Sequence, residues 1–212
     1  PIQHIIGSVD FCNTKLSVSK DTLIPRPETA ELVYLISQNE EPATILDICT
    51  GSGCIAIALA KTLGGSKVFA CDISPEAMAV AKKNADANHV DINLASADIL
   101  QEINPFEQEE YDIIVSNPPY VRESEKEQMH RNVLDYEPHI ALFVSDNDPL
   151  LFYRHIASFA AKYQRKGAKL YFEINEAFGN ETVALLQEQG YHSIIHKDSF
   201  GKDRMIEAVK LA

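Results

Sequence analysis

A side-chain amide, two prolines and an aromatic ring follow directly on an apolar segment. Residues 111–115 (YDIIV) suit a buried strand, and Asn117, Pro118, Pro119 and Tyr120 come just after it. Proline fixes φ at about −65° and biases the residue before it toward an extended conformation, so this turn is rigid. A chain reversal alone needs none of these groups. The residues suit a site in which an amide, a fixed carbonyl group and a ring surround one planar group.

Methyl transfer to a planar nitrogen is chemistry that this arrangement can serve. The lone pair of an amide nitrogen is delocalised, and positive charge develops on the nitrogen as the N–CH3 bond forms. Hydrogen-bond acceptors aimed at its two N–H groups stabilise that charge. We predict the Asn117 side-chain oxygen and the Pro118 carbonyl oxygen as the acceptors, with Tyr120 as a stacking face. Catalysis then depends on alignment and requires no general base.

A glycine-containing loop, DICTGSG (47–53), predicts a second binding site. Gly51 and Gly53 let the backbone approach a ligand with no Cβ in the way. The helix that follows offers free N–H groups at its start. Asp72 ends the next predicted strand, where a carboxylate can accept hydrogen bonds from ribose hydroxyls. Asp98 ends the third strand and can accept a hydrogen bond from an adenine amine.

The acid Asp47 distinguishes between two cofactors that fit such a loop. GSGCIA (51–56) also matches the G-x-G-x-x-G/A pattern of nicotinamide dehydrogenases. A carboxylate at the end of the first strand repels a pyrophosphate and attracts an ammonium group. S-adenosylmethionine has an ammonium group, a ribose and an adenine, and no phosphate. The loop therefore favours S-adenosylmethionine, with S-adenosylhomocysteine as the product.

Strand and helix patterns alternate from residue 44 onward, which predicts a mostly parallel, doubly wound α/β sheet. The last two strands are too close for a helical crossover and are expected to form an antiparallel hairpin. The seven predicted strands are 44–48, 67–72, 92–98, 111–117, 168–174, 191–198 and 204–211, and the helices are 54–63, 75–88, 150–164 and 180–190.

The first 43 residues follow a different pattern. They predict a short hairpin that turns near Asn13 and Thr14, and a helix over 27–38 with Pro27 near its first position. Residues 121–148 look like a long polar connection. We therefore divide the chain into a hairpin and helix, 1–43, which pack on a catalytic domain, 44–212.

Composition narrows the class of protein. The 212 residues carry a formal net charge of −12, whereas nucleic-acid binders usually show a basic stripe. No apolar run approaches the roughly 20 residues of a membrane helix. The four cysteines form no C-x-x-C pair, and the seven histidines are scattered. We expect reduced cysteines, no metal site, no membrane contact, no direct nucleic-acid contact and a cytoplasmic location.

Several segments together resemble one methyltransferase family. DICTGSG and NPPY look like class I S-adenosylmethionine-dependent methyltransferases that modify planar nitrogens. LIPRPETAELV (23–33), YEPHIAL (136–142), FEIN (172–175) and GKDRMIEA (201–208) resemble the HemK/PrmC family, the glutamine methyltransferases of peptide-chain release factors. The resemblance covers essentially the whole chain. It implies a Rossmann-like class I fold and a glutamine amide within a Gly-Gly-Gln loop of a release factor as the methyl acceptor.

The resemblance also assigns roles to residues. Asn117, Pro118, Pro119 and Tyr120 are expected to bind the glutamine amide, with Glu137 on the substrate side. Arg26 and Glu28 look like part of a segment over the pocket, although a proline and an acid also suit a plain helix start. The residues expected to bind the cofactor are Arg26, Asp47, Thr50, Gly51, Ser52, Gly53, Asp72, Ile73, Asp98, Ile99 and Asn117.

Family members usually carry a helical domain before the entry hairpin. We expect that substrate-gripping domain to be missing from this sequence, and the chain to be a monomer. The alternatives left open are a glutamine of a ribosomal protein or an exocyclic amine of a nucleic-acid base as acceptor, and a non-catalytic module that keeps the cofactor pocket. A nicotinamide dehydrogenase remains as a fourth class, but NPPY argues against it.

Overall fold

The computed structural model of the protein describes residues 1–106 and 110–211. The chain begins with a short helix and a hairpin that turns at Cys12 and Asn13, both with positive φ. A longer helix then leads to the central sheet. These first elements are α1 (Ile2–Ile6), β1 (Ser8–Phe11), β2 (Thr14–Ser17) and α2 (Pro27–Asn39).

A seven-stranded sheet forms the centre of the molecule. The remaining strands, in chain order, are β3 (Thr44–Ile48), β4 (Lys67–Asp72), β5 (Ile92–Ser96), β6 (Tyr111–Ser116), β7 (Val121–Arg122), β8 (Phe143–Val144), β9 (Gln164–Glu173), β10 (Tyr191–Lys197) and β11 (Asp203–Lys210). The order within the central sheet is β10-β11-β9-β6-β3-β4-β5. Strand β11 is antiparallel to both of its neighbours, whereas the pairs from β9 to β5 are parallel. The β7 and β8 strands form a separate parallel pair.

Helices cover both faces of this sheet, because the central strands are apolar on both sides. Ile45 and Ile113 face the layer of α2 and α3 (Cys54–Thr62), and Leu46 and Ile114 face the layer of α6 (Leu151–Tyr163) and α7 (Gly179–Glu188). None of the described helices is long and apolar enough to cross a membrane. The helices after α2 are α3 (Cys54–Thr62), α4 (Pro75–Ala87), α5 (Arg131–Tyr136), α6 (Leu151–Tyr163) and α7 (Gly179–Glu188).

The fold predicted from the sequence is confirmed, with three local differences. The helix α1 was not predicted, and β9 begins at Gln164, directly after α6. Residues 121–148 contain two short strands, α5 and two 3-10 turns where a polar connection was expected. Segments of two to six residues carry too few positions for a periodic pattern, and their helices depend on tertiary packing.

The strand order creates the crevice in which the predicted site residues meet. From β3 the chain continues to β4 and β5 on one side, and it later returns to place β6 on the other side of β3. The parallel strands β3 and β6 are in register from Ile45 opposite Ile113 to Ile48 opposite Ser116. The loop 49–53 and the turn 117–120 therefore leave neighbouring strand ends at the topological switch point.

Candidate active site

A cavity of about 250 Å³ lies at the carboxyl ends of β3, β4, β5 and β6. The loops after these four strands contribute most of its wall. Three further segments close it: the stretch before α2 together with the first turn of that helix, the 3-10 turn 139–141, and the start of α6. The residues expected at the site that line the cavity are Thr50, Gly51, Ser52, Asp72, Ile73, Asp98, Ile99, Asn117 and Pro119.

Asp72 ties two loops together at the end of β4. Its Oδ2 accepts a hydrogen bond from Gly51 N at 2.9 Å, and its Oδ1 accepts one from Ser74 N at 2.9 Å. Burial raises the pKa of the Asp72 carboxyl group. Each carboxylate oxygen has a second lone pair. Asp72 can therefore hold the glycine loop and still accept hydrogen bonds from hydroxyl groups in the cavity.

The two glycines of the loop have different roles. Gly51 has a φ of 55° and lines the cavity, and a Cβ there would have no atom within 4 Å. Gly53 lies outside the cavity wall, with a φ of 81°, and its Cβ would lie 3.2 Å from both Ala81 Cβ and Ile57 Cδ1. Gly51 fits close approach of a ligand to the backbone. Gly53 serves the packing of α3 on α4, and its contact with the cofactor stays a prediction.

Substituting Gly53 by alanine is expected to cost more stability than its backbone angle alone explains. A left-handed φ costs an alanine about 1–2 kcal/mol, and overpacking against Ala81 adds about 1 kcal/mol or more. Gly190→Ala is the matched control, because Gly190 has a φ of 85° and open space around its Cβ position. Urea unfolding of both variants checks this. Equal losses of stability would show that the contact with Ala81 does not matter.

Asp47 lies beneath the loop and not in the cavity wall. Its side chain is fully buried, and its Oδ2 accepts hydrogen bonds from Thr50 Oγ1 at 2.5 Å and from Ala56 N at 3.2 Å. Its Oδ1 has no hydrogen-bond partner within the described part of the chain. Burial raises the pKa of this carboxyl group to about 7. The orphaned oxygen is compatible with a nearby cationic group, and direct contact of Asp47 with an ammonium group stays a prediction.

Without cofactor, Asp47 is expected to make the protein less stable as the pH rises from about 4 to about 7. The carboxyl pKa is raised from 3.8 to about 7 on folding. Between these values the folded state keeps a proton that the unfolded state has lost, so the free energy of unfolding falls with pH and levels off above the window. The loss is at most about 4 kcal/mol, at 1.36 kcal/mol per pKa unit.

Asp47→Asn should remove this dependence, since its carbonyl oxygen can still accept from Thr50 and Ala56. Urea unfolding of both proteins between about pH 4 and 8 measures the difference. Other buried acids titrate in both proteins and cancel in the comparison. Parallel stability curves for the wild type and the variant would contradict the assignment to Asp47.

An apolar slot and a second acceptor lie at the ends of β4 and β5. Ile73 is 50% exposed and Ile99 is 7% exposed, and both line the cavity. Asp98 Oδ1 accepts a hydrogen bond from Leu100 N at 3.0 Å and its carboxylate borders the slot. A flat heterocycle with an exocyclic amine fits apolar walls with one acceptor at the rim.

Three cysteine thiols contribute to the cavity wall. They belong to Cys49, Cys54 and Cys71. Burial raises the pKa of each thiol well above its ordinary value, so all three stay protonated and act as small apolar groups. They add to the apolar character of the cavity and supply no nucleophile.

At the other end of the cavity, Asn117 forms part of a hydrogen-bonded chain. Asn117 Nδ2 donates to Thr29 Oγ1 at 3.2 Å, and Thr29 Oγ1 donates to Glu173 Oε2 at 2.6 Å. The Tyr120 hydroxyl donates to Glu173 Oε1 at 2.9 Å. Pro118 and Tyr120 lie next to the cavity and do not line it, whereas Asn117 and Pro119 do. Thr29 and Glu173 belong to the LIPRPETAELV and FEIN segments, but the sequence interpretation assigned no role to either residue.

Arg26 and Glu137 lie outside the cavity wall and bind each other. Arg26 Nη2 and Glu137 Oε1 are 2.7 Å apart, and Ile24 N donates to Glu137 Oε2 at 3.0 Å. Glu137 is 4% exposed. The pair holds the segment before α2, whose Leu23 and Pro25 line the cavity. Both residues therefore hold a wall of the site in place, and the expected contacts of Arg26 with the cofactor and of Glu137 with the substrate stay predictions.

Taken together, the cavity fits S-adenosylmethionine better than a dinucleotide. Its wall has two carboxylates, from Asp72 and Asp98, and no Lys, Arg or His side chain among the residues that the structure describes. A pyrophosphate would lack a cationic partner there, whereas ribose and adenine find acceptors. In the same described ranges, no group of His, Cys, Asp and Glu could hold a metal ion. The fold and the cavity define a class I S-adenosylmethionine-dependent methyltransferase.

Comparison with known proteins agrees with this class. The Methyltransferase small domain family matches residues 27–136. The fold resembles a methyltransferase from Pyrococcus furiosus (TM-score 0.67, 17% identity, 92% of this chain and 87% of that one). It also resembles the 16S rRNA N2 G1207 methyltransferase of Thermus thermophilus, solved with AdoMet and guanosine (TM-score 0.66, 15% identity, 97% and 50%). At these identities the likeness shows the fold.

Curated relatives show the particular family. A release factor glutamine methyltransferase of Flavobacterium psychrophilum is 51% identical, over 98% of this chain and 74% of its own length. The protein of that name from Bacteroides thetaiotaomicron is 49% identical, over 98% of this chain and 75% of its length. The chain belongs to the release factor glutamine methyltransferase family, and S-adenosylmethionine is its methyl donor.

Proposed function

We propose that this chain methylates the side-chain amide nitrogen of the glutamine in the Gly-Gly-Gln motif of peptide-chain release factors. Relatives that are release factor glutamine methyltransferases support a release factor glutamine as the methyl acceptor. The observation that carries the proposal is the position of the Asn117 amide. Asn117 lines the cavity, and its side-chain nitrogen donates a hydrogen bond to Thr29. Its side-chain oxygen can therefore accept a hydrogen bond from the amide that is to be methylated.

The chemistry then depends on binding and orientation. When bound, S-adenosylmethionine supplies an electrophilic methyl group on its sulfonium centre. Asn117 Oδ1 and the Pro118 carbonyl oxygen accept hydrogen bonds from the two N–H groups of the glutamine amide. These contacts strengthen as positive charge develops on the nitrogen. S-adenosylhomocysteine is the leaving group, and the methylated nitrogen releases its extra proton to water. Tyr120 packs beside the amide, and Pro118 and Pro119 keep the acceptors from moving.

We also propose how the chain is organised. The hairpin and α2 in residues 1–43 pack on the catalytic domain, 44–212, and Phe11, Leu16 and Leu32 enter the same core as Ile45. The apolar face of α2 and the Arg26–Glu137 pair support this arrangement. The chain acts as a cytoplasmic monomer and meets the release factor at the open end of the cavity.

An acceptor panel tests the proposed function. The protein is incubated with labelled S-adenosylmethionine and, separately, with a release factor, ribosomal proteins and duplex DNA. We expect label in the release factor alone, and none when the Gly-Gly-Gln glutamine is replaced by alanine. Label in a ribosomal protein or in DNA, with an unlabelled release factor, would overturn the proposal.

A further inference from the structure

A buried carboxylate lies at the end of a hydrogen-bonded chain that starts at Asn117. The chain runs from Asn117 Nδ2 to Thr29 Oγ1 (3.2 Å) and from Thr29 Oγ1 to Glu173 Oε2 (2.6 Å). Thr29 is 2% exposed and Glu173 is 1% exposed. A carboxylate is costly to bury. Its burial behind a residue that lines the cavity therefore needs an explanation.

The carboxylate fixes the direction of every hydrogen bond in this chain. An ionised carboxylate only accepts hydrogen bonds, so the Thr29 hydroxyl must donate to Glu173. The Thr29 oxygen is then left as an acceptor, and Asn117 can meet it only through its N–H group. The amide oxygen of Asn117 must consequently point away from Thr29. Without Glu173, either orientation of the amide would satisfy the Thr29 hydroxyl.

The groups around Glu173 act on the pKa of its carboxyl group in opposite directions. Burial raises the pKa of its carboxyl group, and the nearby Glu28 acts in the same direction. The hydrogen bonds from Thr29 and Tyr120 and the charge of Arg204 oppose this. Burial also raises the pKa of Tyr120 well above its ordinary value, so its hydroxyl stays protonated and donates to Glu173.

Within the described part of the chain, the Thr29 hydroxyl makes its hydrogen bonds to other elements and not within its own helix. Thr29 is the third residue of α2, and no side-chain hydrogen bond caps the start of that helix. Its hydroxyl is committed to Glu173 at the end of β9 and to Asn117 after β6. The three residues belong to separate parts of the chain. Thr29 is 88 residues from Asn117 and 144 residues from Glu173.

We propose that Thr29 and Glu173 are positioning residues that hold the Asn117 amide with its oxygen toward the acceptor. This inference rests on the proposed function. It makes the site selective for an acceptor that offers N–H groups, because a flipped Asn117 would present a donor to another donor. The loss of orientation acts on the transfer step and leaves cofactor binding intact.

Kinetics with the release factor give the first test. Thr29→Val keeps the shape of the side chain and removes the hydroxyl, and Thr29→Ser keeps the hydroxyl. We expect kcat to fall roughly tenfold to a hundredfold in Thr29→Val and in Glu173→Gln. S-adenosylhomocysteine affinity should stay within about threefold of wild type, and Thr29→Ser should keep most of the activity. Full activity of Thr29→Val would overturn the inference, as would an equal loss in Thr29→Ser.

Side-chain amide NMR of the enzyme without substrate separates this inference from the proposed acceptor. The Asn117 Nδ2 resonances are assigned by their loss in Asn117→Asp. We expect hydrogen-exchange protection of these protons in the wild type and in Thr29→Ser, and its loss in Thr29→Val and Glu173→Gln. Protection that Thr29→Val leaves unchanged would overturn the inference. If the wild type fails to methylate a release factor, the proposed function fails, and the NMR comparison still decides the role of Thr29 and Glu173.

Discussion

Asn117→Ala is expected to lower kcat by about a hundredfold to a thousandfold, which is the usual cost of removing one group that stabilises transition-state charge. The amide is the polar side chain that β6 delivers to the cavity, and Nδ2 is already bound to Thr29. The Asn117 side-chain oxygen is therefore the hydrogen-bond acceptor that the glutamine amide nitrogen loses in the variant. The alanine does not disturb Gly51, Asp72 or Asp98, so S-adenosylhomocysteine should still bind.

Single-turnover kinetics measure the rate of methyl transfer, and calorimetry measures S-adenosylhomocysteine binding, so the two effects are separated. Asn93→Ala is the matched control, because Asn93 is exposed on β5 and its Nδ2 donates to the Val68 carbonyl oxygen at 3.3 Å, away from the cavity. We expect this control to resemble the wild type. Undiminished transfer by Asn117→Ala would remove Asn117 from the catalytic account.

Asp72→Ala is expected to weaken S-adenosylhomocysteine binding by about a hundredfold. Hydrogen bonds to a charged group contribute about 1.5–3 kcal/mol each, and every 1.4 kcal/mol is about a tenfold change in affinity. The alanine removes the acceptor for ribose hydroxyls and also releases Gly51 N and Ser74 N. The glycine loop then loses the contact that holds it at the end of β4.

Asp72→Asn should be almost as severe, although the two side chains have nearly the same shape. Both carboxylate oxygens accept a backbone N–H group, from Gly51 and from Ser74. An amide has one oxygen, so its NH2 group would face one of these donors. Asp91→Asn, at an exposed acid before β5, is the control. Affinity of Asp72→Asn within about threefold of wild type would contradict the role given to Asp72.

The sequence predicted the central sheet well because its strands and helices are long enough to show their period. Three of the four strands that border the cavity, β3, β4 and β6, are buried on both faces, which is typical of central parallel strands. The short elements of 121–148 could not be predicted, since Val121–Arg122 and Phe143–Val144 become strands only by pairing with each other. The contact is between residues 22 positions apart, and no local pattern encodes it.

The same limit separates the site residues that sequence reasoning found from those it missed. Asp72, Asp98 and Asn117 stand at strand ends, so the topology alone brings them to one edge of the sheet. Thr29 meets Asn117 and Glu173 across 88 and 144 residues of chain, respectively.

Two other predicted site residues, Arg26 and Glu137, carry opposite charges and form an ion pair with each other. Residue type and motif suggested functional contacts for them. Their partner became visible only with the tertiary structure.

Tandem mass spectrometry of a bacterial release factor, incubated with this protein and S-adenosylmethionine, tests the central claim most directly. We expect a single methyl group on the side-chain nitrogen of the Gly-Gly-Gln glutamine with the wild type, and none with Asn117→Ala. A methyl group on another residue, or an unmodified glutamine despite measured cofactor binding, would contradict it.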